Sequence, residues 1–584
     1  MKPSYGVTMF CFVFLFGVQI FWSSHCFGQT GIDSLASQSQ LEGYPIASSV
    51  FTTRQKTIVP VTPSGSETIS PFDISKYKQN GYGEWAIASG TDSGKFTDIM
   101  PDGYKASGAL MTNTAKLLHF FTITDIHITD KESPAQLIYG ALGNLGFKDN
   151  AISVYSGIML YTTHLFDAAI QTVNAISKQN KIDFGISLGD TCNSNQYNEL
   201  RWYIDVLDGK NISPDSGVKD DPIPGPYNDY QDQYKAAGLD KTIPWYQALG
   251  NHDQFWMGSK PVSEYLRQTF IGEDILKMGN PLLPGGIDKR DYYMGVFDGR
   301  TLYGDIIGAG PVASFPTGPA KIAADPNRHS LSRKDWLSEF FKTSSNPVGH
   351  GFTQANLADD FACYSFEPKS DIPIKVIVLD DTVKENTPGL DPKVHIYGYG
   401  TLDKTRYDWL VSELKEGQAN NKLMIIAAHV PIGVEPKGSP TGWWPKGYVY
   451  ETELIAELHK YPNLILWIAG HRHRNTITPF KSPDTTHPEL GFWGVETQSL
   501  REFPQRFRTF EIFRNSDKTI SILATDVDPA VKEGAFAAVS RSYGIAADQL
   551  FNIKPEAALN AELVKQLSPE MQTKLQNCGT LVGK

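Results

Sequence analysis

The chain has 584 residues, a formal net charge of −11, 41% hydrophobic and 20% charged residues, and only five cysteines. That balance describes a globular protein with an ample core and excludes disordered, fibrous and disulfide-framed classes. An acidic surface repels polyanions and so excludes broad nucleic-acid binding, yet bound cations still allow one pocket to take a small phosphate ester.

In chain order, Lys2, an apolar stretch from Gly6 to Trp22 and small residues up to Gly28 read as a secretory signal, 1–28. A retained N-terminal anchor is the alternative, because the run lies near the lower length limit for spanning. Cleavage implies a periplasmic or extracellular protein with no stable membrane insertion. It also leaves Cys192, Cys363 and Cys578, which form neither a disulfide framework nor a thiolate metal cage. Residues 29–115, rich in Ser, Thr, Gly and Pro, read as a leader lying on the main domain.

The main domain, 116–528, opens with the apolar run Leu117–Ile123, the pattern of a strand buried on both faces. Similar runs follow at Ile182–Leu188, Ile243–Leu249, Leu423–Ala428 and Leu464–Ala469. Three-to-four-residue spacing predicts helices over Leu165–Lys178, Thr405–Glu416 and Glu451–Lys460. Strands alternating with helices predict a mixed α/β fold with polar motifs gathered at the carboxyl edge of a sheet. The long intervals from Asp190 to Gly250 and from Asp253 to His429 read as loops or subdomains walling a cleft. Alternation between Gly491 and Asp526 predicts a second, more antiparallel sheet, and 529–584 reads as a helical tail.

Each of the five apolar runs ends in a polar motif: Asp125-Ile126-His127, Gly189-Asp190, Gly250-Asn251-His252-Asp253, Ala428-His429 and Gly470-His471-Arg472-His473. Alone, Gly-Asp is an ordinary turn and a lone histidine an ordinary core residue. Together the motifs offer Asp125, His127, Asp190, Asn251, His429, His471 and His473, a mixture of oxygen and nitrogen donors suited to borderline divalent metals: Mn, Fe, Zn, Co or Ni. A carboxylate bridges two ions through its oxygens, and a neutral amide ligand avoids weakening their pull on an anion. His252 and Asp253 are left over as a pair for proton transfer. Arg472 and Arg474 flank the last histidines and are candidates for substrate contact.

The ordered set resembles the calcineurin-like metallophosphoesterase superfamily over about residues 116 to 525. The resemblance implies a four-layer sandwich of two β-sheets flanked by helices, with a dinuclear centre at the strand ends. It implies that Asp125, His127 and His473 hold one divalent metal and Asn251, His429 and His471 a second, with Asp190 bridging. His252, held by Asp253, then stands beside the metals as proton donor. Purple acid phosphatases carry a tyrosine three positions after the bridging aspartate; Asn193 stands there in this chain, which is therefore similar to the non-purple, secreted bacterial branch. The implied activity is hydrolysis of a phosphate mono- or diester by a metal-bridging hydroxide. The alternatives are a non-catalytic metal-binding scaffold of the same fold and a different dinuclear metallohydrolase.

Overall fold

Alternating side chains along the strands enter two different cores. In Leu423–Ala427, Leu423, Ile425 and Ala427 join one apolar cluster while Met424 and Ile426 join another. In Ile374–Val378, Ile374, Val376 and Val378 enter the first and Ile377 the second. A period of two places neighbours on opposite faces, so these strands are buried on both. The second core lies under helices Lys404–Ala419 and Glu451–Leu458, which supply Leu410, Leu414, Leu454 and Leu458.

The computed structural model describes residues 46, 50–65, 67–106, 111–141, 154–217, 233–281, 283, 285–298, 305–391 and 397–582. The expected signal segment, 1–28, lies outside them. Among the described residues the largest sheets have eight and six strands. In the first, Asn113–Ile123, Phe184–Ser187 and Trp245–Gln247 run parallel as neighbours. In the second, Ile374–Val378, Leu423–Ala427, Leu464–Ala469 and Phe492–Glu496 do the same.

The sheets face one another. Tyr246 stacks on Phe366 of the second sheet at 3.6 Å, while its neighbour Trp245 points the other way, edge-on to Tyr203 of helix Tyr197–Asp208 at 5.9 Å. Helix Thr162–Gln179 packs beside it through Phe166, stacked on Tyr203. Helices, sheet, sheet and helices thus form four layers, as the resemblance implied.

Three segments differ from expectation. Phe507–Asn515 and Ile520–Val527 form an antiparallel hairpin in the first sheet, not the second. The nine-residue strand Phe507–Asn515 satisfies the open edge of the eleven-residue strand Asn113–Ile123, which would otherwise expose a row of unpaired backbone groups. The interval between Asp253 and His429, read as loops or subdomains, contains Tyr364–Phe366 and Ile374–Val378, the opening strands of the second sheet. Region 529–584 carries helices Phe536–Phe551 and Pro569–Leu575 but also a strand, Ala561–Lys565, paired with Ile520–Val527. Cys192, Cys363 and Cys578 are free thiols. Among the described residues no helix is long and apolar enough to cross a membrane.

Phe120 stacks on cross-strand neighbours Phe184 and Phe510 at 4.8 and 4.9 Å, joining three strands of the first sheet. Phe120→Ala should therefore cost about 3–5 kcal/mol of folding stability, read by denaturant unfolding. A loss below about 1 kcal/mol would contradict this packing.

Candidate metal centre

The parallel strands of both sheets release their chains at one edge. Asp125 follows Asn113–Ile123, Asp190 follows Phe184–Ser187 and Asn251 follows Trp245–Gln247; His429 and His471 follow two neighbouring strands of the second sheet. Five residues here have left-handed backbones: Asp125, His127, Asp190, His471 and His473, with φ between 47° and 78°. Such a conformation costs roughly 1–2 kcal/mol in a residue bearing a Cβ, and concentrates where side chains must be aimed against local preference. Backbone bonds hold these turns: Asp125 N–H donates to Gly189 O, and the Ile126 and His127 N–H groups to Asp190 O, at 3.0–3.1 Å.

The side chains converge on one carboxylate oxygen, Asp190 Oδ2. It lies 3.8 Å from His127 Nε2 and 3.3 Å from His429 Nε2. On the first side, His127 Nε2 and His473 Nε2 are 3.2 Å apart, with Asp125 Oδ1 at 3.9 and 3.3 Å from them. On the other, Asn251 Oδ1 lies 2.8 Å from His429 Nε2 and 3.0 Å from His471 Nδ1, the two nitrogens being 3.2 Å apart. Ligands about 2.0–2.1 Å from a common ion lie roughly 2.9–3.4 Å from each other, so most of these separations match the edges of a coordination polyhedron. All seven expected donors are gathered. His252 completes a further group with His127 and Asp190.

Most of these side chains are tied down at the atom not facing the cluster. Asp125 Oδ2 accepts the His471 N–H and the Thr124 hydroxyl, and Asp190 Oδ1 accepts the His252 N–H. Asn251 Nδ2 donates to Gly258 O, which fixes the amide with Oδ1 inward. Position 258 must be glycine: φ is +62°, and a Cβ would meet the His252 ring at 2.1 Å. His429 Nδ1 contacts the Leu188 carbonyl at 2.8 Å, so that nitrogen keeps a proton and Nε2 is the one available to a metal once its own proton is displaced. His473 Nδ1 sits 2.9 Å from Glu502. Outer contacts of this kind orient metal ligands.

The electrostatics fit a cation. Burial would lower His429, but Asp190, Asp125 and Asp381 push it up to about 10. Burial likewise opposes charge on His473, yet Glu502 and Asp125 raise it well above the usual histidine range. The cluster thus draws positive charge strongly, and divalent ions displace such protons from their ligands.

Asp253 does not hold His252, as the sequence reading expected. Its carboxylate accepts the N–H groups of Asp190, Thr191, Cys192 and Gly250 at 2.8–3.2 Å and the Thr191 hydroxyl at 2.6 Å. It braces the turn that presents Asp190, because four backbone donors there lie closer than the imidazole. His252 Nδ1 instead meets Asn193 O at 2.7 Å. Arg472 is taken by Glu496 and Glu435, and exposed Arg474 by Glu556, so carboxylates occupy both expected substrate contacts. Asp381, Arg501 and Glu502 are not among the sequence candidates, and Asn193 figures there only as the residue standing where purple acid phosphatases carry a tyrosine. Asp381 accepts the His429 and Val430 N–H groups, and burial raises it to about 7. Asp381, Arg501 and Glu502 obey the rule that revealed the other motifs, since each closely follows an apolar strand.

No protein-family model and no curated protein matches the chain. Among solved structures, it is similar to a dimetal phosphatase from Danio rerio at 12% identity and a TM-score of 0.36, covering 71% of this chain and 100% of that one. It is also similar to a calcineurin-like phosphoesterase from Bacillus subtilis at 10% identity and a TM-score of 0.25, covering 75% and 99%. Superpositions that loose transfer no residue roles, and the centre stands on its own geometry.

Asp253→Ala strands several buried donors, each worth about 1–3 kcal/mol when unsatisfied. Stability should fall by on the order of 3 kcal/mol, and metal retention with it, read by thermal unfolding and elemental analysis. Unchanged melting and metal content would contradict the bracing role.

Proposed function

We propose that the chain is a secreted, metal-dependent phosphoesterase acting on a small phosphate mono- or diester. The carrying observation is the convergence of Asp125, His127 and His473 on one side of Asp190 Oδ2, and of Asn251, His429 and His471 on the other. The ordered motifs, resembling those of calcineurin-like metallophosphoesterases, support phosphate as the group attacked. The signal-like segment 1–28 supports export.

Two divalent ions held there would act as Lewis acids on phosphoryl oxygens and bring the pKa of a coordinated water toward neutrality. Asp190 spans both halves of the cluster, while Asn251 adds an oxygen donor without adding charge. His252 stands beside the centre, its ring 4.4 Å from that of His127. Asn193 O accepts the Nδ1 proton, so Nε2 gives a proton to the leaving oxygen only from the cationic ring, a state that burial opposes and Asp190 favours. A non-catalytic scaffold would tolerate gaps in the donor set, and every expected donor is gathered here.

The test is hydrolysis of nitrophenyl phosphate mono- and diesters, with and without chelator. Chelation should abolish turnover, and the ratio between the two substrates assigns the ester class. His252→Ala should keep its metals while turnover drops by about 10²–10⁴-fold. Full turnover in that variant removes His252 from the mechanism, and chelator-resistant hydrolysis removes the metals.

A further inference from the structure

Arg501 closely follows Phe492–Glu496, a strand parallel to the one that delivers His471. The residue is 1% exposed. Its Nη1 donates to Asn193 Oδ1, whereas Nε and Nη2 have no hydrogen-bond partner among the described residues. The backbone is pinned to the centre: Arg501 N–H donates to Ser499 Oγ, and that hydroxyl donates to Asp125 O, both at 2.9 Å. Asn193, its anchor, also receives His252 Nδ1. Both contacts run through Asn193, which places the guanidinium on the His252 side of the cluster.

An arginine cannot discharge, and burying its charge without a partner is strongly unfavourable. Four other buried arginines meet this demand internally, Arg328 with Asp130, Arg406 with Asp380 and Asp403, Arg506 with Asp528 and Arg508 with Asp526, while Arg541 donates to Pro529 O and lies over the Trp85 ring. Glu502 and Glu199, the carboxylates whose charge acts on Arg501, form no hydrogen bond with it. Glu502 faces His473, and Glu199 accepts the N–H groups of Asp130, Asn193 and Ser194. One edge of the guanidinium fork thus has no hydrogen-bond acceptor among the described residues.

We propose that Arg501 is the substrate-binding cation of the centre, its Nε–Nη2 edge taking two non-bridging oxygens of the phosphoryl group. This rests on the phosphoesterase reading. The planar fork matches two oxygens on one phosphorus, which a lysine cannot reproduce. Asp125 and His429 are likewise buried, at 0% exposed, so a substrate must enter an enclosed centre to meet either them or Arg501. Arg501 thereby takes the role that the sequence reading gave to Arg472 and Arg474.

Full-length protein loaded with Mn(II) tests this, with inorganic phosphate as the probe in calorimetry and a nitrophenyl ester for KM and kcat. Arg501→Met should keep its metals while phosphate affinity falls on the order of 10- to 100-fold and KM rises by a similar factor. Arg501→Lys should recover part of that loss, and it decides the matter if the methionine variant fails to fold. Wild-type phosphate affinity and KM in the variants overturn the proposal, as does loss of metal from both. A wild-type protein that holds no metal and hydrolyses no ester overturns the functional reading and this proposal together; an active wild type with indistinguishable variants overturns this proposal alone.

Discussion

Lone pairs aimed at one another govern the structure at its carboxyl edge. His127 faces His473, and His429 faces His471, each pair 3.2 Å apart, with the carboxylate of Asp190 between the two pairs. A facing pair of imidazole nitrogens shares one proton at most, and the oxygens of Asp125, Asp190 and Asn251 add negative potential. Positive charge relieves this arrangement. Without metal it comes as protons, which is why His429 and His473 hold theirs so firmly. Divalent cations relieve it better, since each satisfies several donors at once.

Keeping such groups together requires a frame that resists their repulsion. Two sheets with apolar contacts on both faces bring their strand ends to one edge, and strained turns aim the side chains from there. Asp253 braces the Asp190 turn and Asp381 the His429 turn. Gly258 leaves room for His252 and orients Asn251. The stability lost in these positive-φ residues is offset by the packed layers beneath, so the centre and the core form one cooperative structure.

The four-layer architecture was legible because long apolar runs such as Leu423–Ala428 and Leu464–Ala469 admit few alternatives to buried parallel strands. The donor set was legible because each of its motifs sits at the end of one. Sheet membership was not. The alternation in Phe507–Asn515 says that a strand forms but not which open edge it satisfies, and backbone pairing with Asn113–Ile123 settled that. The partner of His252 was also hidden. Adjacency suggested Asp253, whereas the fold spends that carboxylate on backbone donors and leaves the imidazole to a carbonyl at Asn193. Arg472 and Arg474 looked free beside the histidines because Glu435, Glu496 and Glu556 approach them from distant segments.

Anomalous X-ray diffraction from crystals of the full-length protein grown with Mn(II) reads the central claim directly. Two peaks about 3.5–4 Å apart, with the Asp190 carboxylate reaching both, are the expected result. A single ion, none, or ions bound away from Asp190 would contradict the account.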